Sequence, residues 1–307
     1  MNPTTIGIPR GMLFYRYEPL WRTFFSELGA EVIVSEPTTH SIAEEGMSIT
    51  IDEACLSVKV FFGHVSSLVG KCDYIFVPRI SNFGKKRELC PRFTALYDVT
   101  KNIFRNSEQK LLTCNVDVLT GDSEKKAFLA LGQSLGCSAG SAAKAYKKAK
   151  KEEQRVWSDK LQKQKRLLEQ DGLKILIAGH DYLVEDEYIG KPITDFLKKN
   201  GAVPISAGIV DRDAALKRSL EMSPTCKWQL NREIIGGIAM HRDKIDGIIF
   251  LSAFPCGPDA MVNELMLRRI DGLPMLNLVL DGQNGTAGTE TRLESFLDII
   301  RFKRGLL

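Results

Sequence analysis

Residues 246–269 read DGIIFLSAFPCGPDAMVNELMLRR and join two different patterns at a pair of prolines. The apolar run at residues 248–251 is typical of a buried strand, and the pattern that follows Pro258 is typical of an amphipathic helix. The same alternation occurs in CDYIFVPRI, PRFTALYDVTKNIF and KLLTCNV within residues 72–116, and the strand pattern returns in PMLNLVLD. Continuous apolar strands that alternate with helices predict parallel sheets that are covered on both faces.

A longer pattern of strand, loop, helix and strand occurs twice. Its first copy has the strand TIGI, a helix from Pro19 to Gly29 and the strand EVIVS, and its second has LKILIA, a helix from Pro192 to Gly201 and AVPIS. Proline suits the first turn of a helix and glycine the left-handed position after the last turn, so both helix ends have a physical reason. We therefore predict an α/β fold of two Rossmann-like lobes with parallel sheets.

The length of 307 residues favours more than one compact core. We expect an N-terminal Rossmann-like lobe at residues 1–137, a helical connector at 138–172 and a C-terminal Rossmann-like lobe at 173–307. Residues 138–170 of the connector are rich in Ala, Lys and Glu and have no Pro or Gly after Gly140. Because open parallel sheets bind ligands beyond the carboxyl ends of their strands, the functional site is expected in the cleft between the lobes.

Composition and charge exclude several classes of protein. The hydrophobic share of 44% and the charged share of 26% are ordinary for a globular protein and unlike those of a disordered or fibrous one. The sequence has no apolar run near the ~18 residues of a transmembrane helix and no signal-peptide pattern, so we expect a cytoplasmic protein without a membrane partner.

The net charge of +4 is small, which does not favour a nucleic-acid partner. Residues 144–169 hold ten basic and four acidic residues, a local charge of +6 that leaves −2 for the rest of the chain. This segment fits the solvated face of a connecting helix, and the alternative is a docking surface for an acidic partner or for nucleotide phosphates.

Seven cysteines, an odd number, do not indicate a disulfide framework, because a reducing cytosol keeps them as thiols. Three lie at predicted helix starts: Cys55, in a helix that Asp52 is expected to cap, Cys90 in RELCPRF, and Cys256 in SAFPCGPDAM. A helix N-terminus favours the thiolate that a metal or an electrophile requires. Without a C-x-x-C pattern, packing and a shared metal site both remain open for these three. The other four are expected to pack or to remain thiols: Cys72, Cys114, Cys137 and Cys226.

A shared site of three thiolates would leave a fourth position open. Zinc would then support Lewis-acid chemistry, with His64 as a possible fourth ligand, whereas a 4Fe-4S cluster would expose one iron to substrate or solvent. Arg10 and Arg79 follow predicted strands, and each could meet a carboxylate or phosphate of a CoA ligand or form a salt bridge within the protein. Further catalytic candidates beside His64 are His180 and Asp181, for which a proton shuttle and an ordinary loop role are the alternatives.

Taken together, these stretches resemble the acyl-CoA dehydratase activase-related proteins, relatives of the cluster-bearing subunits of 2-hydroxyacyl-CoA dehydratases and benzoyl-CoA reductases. The resemblance extends over nearly the whole chain, in IGIPRGMLFYRYEPLWRTFFSELGAEVIVSE, DEACLSVKVFFGHV, DYIFVPRI, ELCPRF, GHDYLVEDEYIG, CGPDAMV and TRLESFLD. It implies one 4Fe-4S cluster held by Cys55, Cys90 and Cys256, with its fourth iron open. It also implies an ATP-hydrolysing activase on a separate chain that supplies a low-potential electron.

The sequence departs from its relatives in two respects. It has no G-x-x-x-x-G-K-[ST] loop, so ATP hydrolysis is expected of another protein. Relatives often have an Asp-Glu-His-like start to the loop after PMLNLVLD, whereas this chain reads DGQNGTAGTETR, and the Gly282–Gly288 loop is either an anion cradle or a plain turn.

Three functions remain in competition on the sequence alone. The first is an oxygen-sensitive iron-sulfur protein that accepts an electron from the activase and uses or relays it; if it is an enzyme, it acts as a lyase or oxidoreductase component on an acyl-CoA, with or without a second dehydratase-like subunit. The second is a non-catalytic accessory or regulatory partner of the activase. The third is a zinc or thiol enzyme.

Overall fold

The protein is described from a computed structural model, in which residues 3–282 and 286–306 are described, apart from the side chains of residues 286 and 287. The chain divides into two compact units, residues 1–158 and 159–307. Both are mixed α/β structures with parallel sheets, as predicted. We call them unit one and unit two and describe each by itself.

Unit one contains a four-stranded parallel sheet in the order β2-β1-β3-β5 and a separate parallel pair, β4-β6. Its strands are β1 (Thr5–Ile8), β2 (Glu31–Val34), β3 (Tyr74–Phe76), β4 (Arg79–Asn82), β5 (Lys110–Leu112) and β6 (Asn115–Asp117). Its helices are α1 (Phe14–Glu27), α2 (His40–Ser48), α3 (Leu56–Leu68), α4 (Pro91–Ile103) and α5 (Glu124–Ser134), and α6 (Ala139–Glu169) continues past its end.

Unit two contains one four-stranded parallel sheet in the order β10-β9-β7-β8. Its strands are β7 (Leu173–Ala178), β8 (Ala202–Ser206), β9 (Gly247–Ala253) and β10 (Met275–Leu280). Its helices are α7 (Asp181–Val184), α8 (Lys191–Lys199), α9 (Arg212–Met222), α10 (Gln229–His241), α11 (Gly257–Arg269) and α12 (Thr286–Lys303).

The two sheets share one topology. When only the strands of each four-stranded sheet are counted, in chain order, the first lies between the second and the third, and the fourth lies outside the third. The glycines that were predicted to end the first helix of each repeat, Gly29 and Gly201, both have a positive φ, of 82° and 75°. The repeated sequence pattern thus corresponds to a repeated fold.

Helix α1 begins earlier than the sequence indicated. It starts at Phe14, and Pro19 lies inside it instead of opening it. The early turns are favoured because Phe14, Tyr17 and Trp21 bury on one face, and Trp21 packs edge-on against Phe76 of β3. The free energy gained by this burial exceeds the cost of the one helical hydrogen bond that is lost because Pro19 has no N–H.

The predicted connector is one continuous helix, α6, of 31 residues. Its positive charge is partly balanced within the protein: Lys148 pairs with Glu27, Lys150 with Glu124, and Lys160 with Glu185. Helix α12 already includes Thr291, whose carbonyl accepts a hydrogen bond from the Ser295 hydroxyl inside the helix.

Helices α2 and α3 pack unusually close together. A β-carbon added to Gly63 would overlap the carbonyl oxygen of Ile42, and one added to Gly46 would overlap the carbonyl oxygen of Lys59. Only glycine permits such an approach of two helix backbones. This crossing fixes the position of α3, the helix that Cys55 precedes.

Candidate functional site

The three helix-start cysteines share one local setting. Cys55, Cys90 and Cys256 are the N-caps of α3, α4 and α11, and each has an extended backbone conformation. The first turn of each helix, which carries backbone N–H groups without a partner inside the helix, begins directly after the cysteine. The positive end of the helix dipole at each position favours a thiolate.

Cys55 occupies the position that the sequence assigned to Asp52. The predicted cap at Asp52 is wrong, because a turn closed by the hydrogen bond from the Ala54 amide to the Ile51 carbonyl separates Asp52 from the helix. Helix α3 therefore starts immediately after Cys55.

Within unit one, a direct hydrogen bond joins the starts of α3 and α4. The Arg92 guanidinium, in the first turn of α4, donates to the carbonyl oxygen of Glu53 at 2.9 Å. Glu53 lies two residues before Cys55, and Arg92 two residues after Cys90. The bond thus ties together the segments that carry the two cysteines.

A cavity of about 430 Å³ lies beside these segments, between α3, α4 and the loop that follows α2. We call it the α3–α4 groove. It is lined by Ile49, Thr50, Ile51, Ala54, Val58, Phe62, Arg92, Ala95, Leu96, Asp98, Val99, Asn102 and Ile103.

In unit two, Cys256 adjoins a buried polar network. His180, two residues beyond the end of β7, contacts Oδ1 of Asp259 through Nε2 at 2.8 Å, and Asn231 on α10 donates to the same oxygen at 2.7 Å. Asp259 lies in the first turn of α11 and accepts a further hydrogen bond from Cys256. The His180 ring stacks on Tyr182 with centroids 4.9 Å apart.

The His180 and Asp259 side chains form a buried ion pair. Burial lowers the pKa of His180, but the Asp259 carboxylate, together with the charges of Asp181 and Glu233, outweighs burial and raises that pKa above the ordinary value. Burial would raise the pKa of Asp259, but the His180 charge and the hydrogen bonds from His180, Asn231 and Cys256 lower it. Both shifts favour the charged forms, an imidazolium beside a carboxylate with a combined charge of zero.

His64 sits on α3 with both ring nitrogens occupied. Nδ1 lies 2.9 Å from Oγ of Ser35 and Nε2 lies 2.9 Å from Oγ1 of Thr38, in the segment after β2. Burial and the positive charge of Arg10 lower the pKa of His64 to about 3. The ring is neutral at physiological pH, and its contacts fasten the end of β2 to α3.

The two candidate arginines have partners inside unit one. Arg10 donates from its backbone amide to Oγ of Ser35 and from Nε to the Ser35 carbonyl, at 2.8 and 3.1 Å. Arg79 donates to Asp98 at 2.5 Å and lies over the Tyr97 ring. Asp181 is the first residue of the short helix α7, next to His180.

The remaining cysteines have the character of packing residues. Burial raises the pKa of Cys114 to about 12, and it also raises the pKa of Cys72 and of Cys226. Cys137 is half-buried and forms no disulfide.

Among residues 3–282 and 286–306, no group of three or more His, Cys, Asp or Glu side chains is arranged to hold a metal ion. None of the helices in the described part of the chain has both the length and the apolar composition needed to cross a membrane. Of the predicted Gly282–Gly288 loop, residues 283–285 lie outside the described residues, Gly282 has a φ of 80°, and Gly288 belongs to α12.

The sequence alone did not indicate the residues that hold the surroundings of Cys55 and Cys90 in unit one and of Cys256 in unit two. Asp259 reads as an ordinary acidic residue of a first helical turn, and Asn231, on another helix, gives no local signal. Arg92 and Ser35 were missed for the same reason, since their contacts join segments 25 or more residues apart.

Comparison with protein families gives a match over most of the chain. Residues 5–210 match the family model described as "CoA enzyme activase uncharacterised domain (DUF2229)". The matched range includes Cys55 and Cys90 and ends before Cys256. None of the curated proteins matches this chain.

Two solved structures of the SBP FpvC of Pseudomonas aeruginosa, in complexes with Ni²⁺ and with Mn²⁺, share 12% sequence identity with this chain. Each alignment covers 98% of this chain, with 96% and 98% of the other chain and TM-scores of 0.28 and 0.27. At these scores the likeness carries no argument about fold or function.

Proposed function

Because the chain belongs to the CoA enzyme activase uncharacterised domain family, we propose that it is an iron-sulfur protein that accepts a low-potential electron from a separate ATP-dependent activase. It uses this electron or relays it, with a CoA thioester as the final acceptor. One observation carries the proposal: Cys55, Cys90 and Cys256 each occupy the N-cap position of a helix of 13 residues.

The donor set suits a 4Fe-4S cluster. Three thiolates at helix N-termini receive a favourable dipole, and the bond from Arg92 to Glu53 holds two of the three carrying segments together. Cys256 loses its proton to become a ligand, which leaves a thiolate beside the Asp259 carboxylate. The His180 imidazolium on that carboxylate offsets the repulsion.

When bound, a 4Fe-4S cluster with three cysteine ligands supplies one-electron chemistry and an iron that is open to a substrate oxygen. The protein's own contribution is to hold the thiols and to set the charge around them. Before a cluster binds, the Asp259 carboxylate accepts a hydrogen bond from the Cys256 thiol and so fixes its direction, while Asn231 and His180 hold the carboxylate. ATP hydrolysis is assigned to the partner, because the sequence of this chain has no G-x-x-x-x-G-K-[ST] motif.

Metal analysis tests the cofactor. The protein is produced and purified without oxygen, and iron, sulfide and zinc are measured together with the EPR spectrum after reduction. We expect about four irons and four sulfides per chain. Zinc in place of iron would favour a zinc enzyme and would refute the cluster.

Single replacements test the ligands. Cys55→Ser, Cys90→Ser and Cys256→Ser should each lose most of the iron and the EPR signal, whereas Cys137→Ser, a half-buried cysteine with no assigned role, is the matched control and should keep both. A cluster that survives all three replacements would rule out these residues as ligands.

Electron uptake tests the role. With an activase, ATP and a reductant, the oxidised cluster should become reduced, and turnover of an acyl-CoA would identify an enzyme. Uptake without turnover of any acyl-CoA would identify an accessory electron carrier. Binding of the activase without uptake would identify a non-catalytic regulator and would contradict the electron-acceptor proposal.

A further inference from the structure

The α3–α4 groove has a size and a lining that suit a small ligand. Its volume of about 430 Å³ falls within the ~300–1,000 Å³ that is usual for small-molecule sites. Its apolar wall includes Phe62 and Leu96, which are fully buried or nearly so, and Ile51 and Val99 stand exposed at its rim. The apolar character of the wall favours an apolar ligand over a polar one.

Most of the polar groups that line the groove are engaged elsewhere in unit one. Asp98 pairs with Arg79, and the Thr50 hydroxyl donates to the Gly46 carbonyl. Arg92 differs, because its guanidinium donates a hydrogen bond to the Glu53 carbonyl and has further N–H groups that a ligand can accept from. The Asp98 charge is already balanced, which leaves Arg92 as the uncompensated charge of the lining.

The groove is elongated along α4, and its positive charge lies at one end. Lining residues run along α4 from Arg92 in its first turn to Ile103 at its end, a distance of about 16 Å at 1.5 Å per residue. The Arg92 end also lies at the N-terminus of α4, where the helix dipole is positive. The groove therefore presents one cationic end and a long apolar wall.

We propose that the α3–α4 groove binds an amphipathic monocarboxylate, with its carboxylate on Arg92 and its apolar chain along α4. Arginine matches a carboxylate in charge and in the planar geometry of its donors. The chain would cover the exposed edges of Ile51 and Val99. This binding site goes beyond the proposed function and requires no cluster.

Calorimetric titration of the full chain with fatty carboxylates tests the site. Octanoate should bind more tightly than butyrate, because the longer chain covers more of the apolar wall. Octanol and octylammonium have the same chain and lack the anion, so they should bind about tenfold or more weaker than octanoate.

Variants separate the two ends of the groove. Ala95→Phe fills the lining and should weaken octanoate at least about tenfold, and Val99→Asp, at the exposed rim, gives a second variant that does not depend on repacking the interior. Arg92→Gln should abolish the preference for octanoate over octanol. Arg22→Gln, which removes an exposed arginine on α1, is the matched control and should change neither value.

Several outcomes would overturn the inference. If octanol or octylammonium binds as tightly as octanoate, Arg92 does not recognise the carboxylate. If octanoate binds Ala95→Phe and Val99→Asp as tightly as the wild type, the ligand does not bind in the α3–α4 groove. A wild-type dimer that Val99→Asp converts to monomers would show that a second copy of the chain covers the groove. Absence of cluster with intact octanoate binding would refute the proposed function and leave this inference standing.

Discussion

Mild acid should destabilise unit one through a single side chain, His64. Its folded pKa is about 3, against an ordinary value of 6.5, because the ring is buried and Arg10 is near. Below pH 6.5 the imidazole of His64 binds a proton in the unfolded chain but not in the folded chain. The contribution of the neutral ring to the unfolding free energy is therefore present above pH 6.5 and is lost as the pH falls toward 3. Between pH 7 and pH 5 this loss amounts to about 2 kcal/mol of unfolding free energy.

Urea unfolding at pH 5, 6 and 7 measures this loss. In a Trp157→Phe, Trp228→Phe background the remaining tryptophan is Trp21, which is buried in unit one, so its fluorescence follows that unit. His64→Gln keeps a donor and an acceptor but cannot titrate, so its stability should fall by about 2 kcal/mol less over this range. His40→Gln, at an exposed histidine, is the control and should retain the wild-type dependence.

An equal loss of stability in the wild type and in His64→Gln would refute the reasoning. It would mean that the folded protein protonates His64 at an ordinary pKa, which requires the ring to leave its contacts with Ser35 and Thr38.

Two further changes test the packing around the candidate site. Gly63→Ala should destabilise unit one by roughly 1–3 kcal/mol in the same assay, because the new methyl group overlaps a carbonyl of α2. The control is Gly140→Ala on α6, which meets no such overlap and should stabilise the unit by about 0.5–1 kcal/mol. A Gly63→Ala variant as stable as the wild type would contradict the close crossing of α2 and α3. Asp259→Asn should destabilise unit two by about 3 kcal/mol or more in chemical denaturation, since it leaves the His180 charge buried without its partner. The double variant with His180→Gln should lose less than the sum of the single variants, and strict additivity would show that the pair is not coupled.

Local features of the sequence predicted much of the fold. The run at residues 248–251 and the proline at position 258 indicated the strand and the helix on either side of Cys256, and both are present. Gly29 and Gly201 marked helix ends, because a positive φ is a local requirement. Pro19 misled for a tertiary reason: the burial of aromatic side chains extends α1 past a residue that locally favours a start.

The candidate site was less accessible to prediction than the fold. Helix-start cysteines could be identified from their neighbours in sequence, but the contacts around them join distant segments. The bond from Arg92 to Glu53 spans 39 residues, and that from His180 to Asp259 spans 79. No periodicity or capping rule encodes such pairs, since they depend on how strands order themselves within each sheet.

The shared strand order has a consequence for synthesis on the ribosome. Within each four-stranded sheet, the strand made first lies inside the sheet, the second of its strands adds to one edge, and its third and fourth strands add in turn to the other edge. No strand has to insert between two strands that are already paired with each other. The nascent chain can therefore extend each sheet outward as it emerges, and the sheet of unit one has all its strands by residue 112, well before β7 is made.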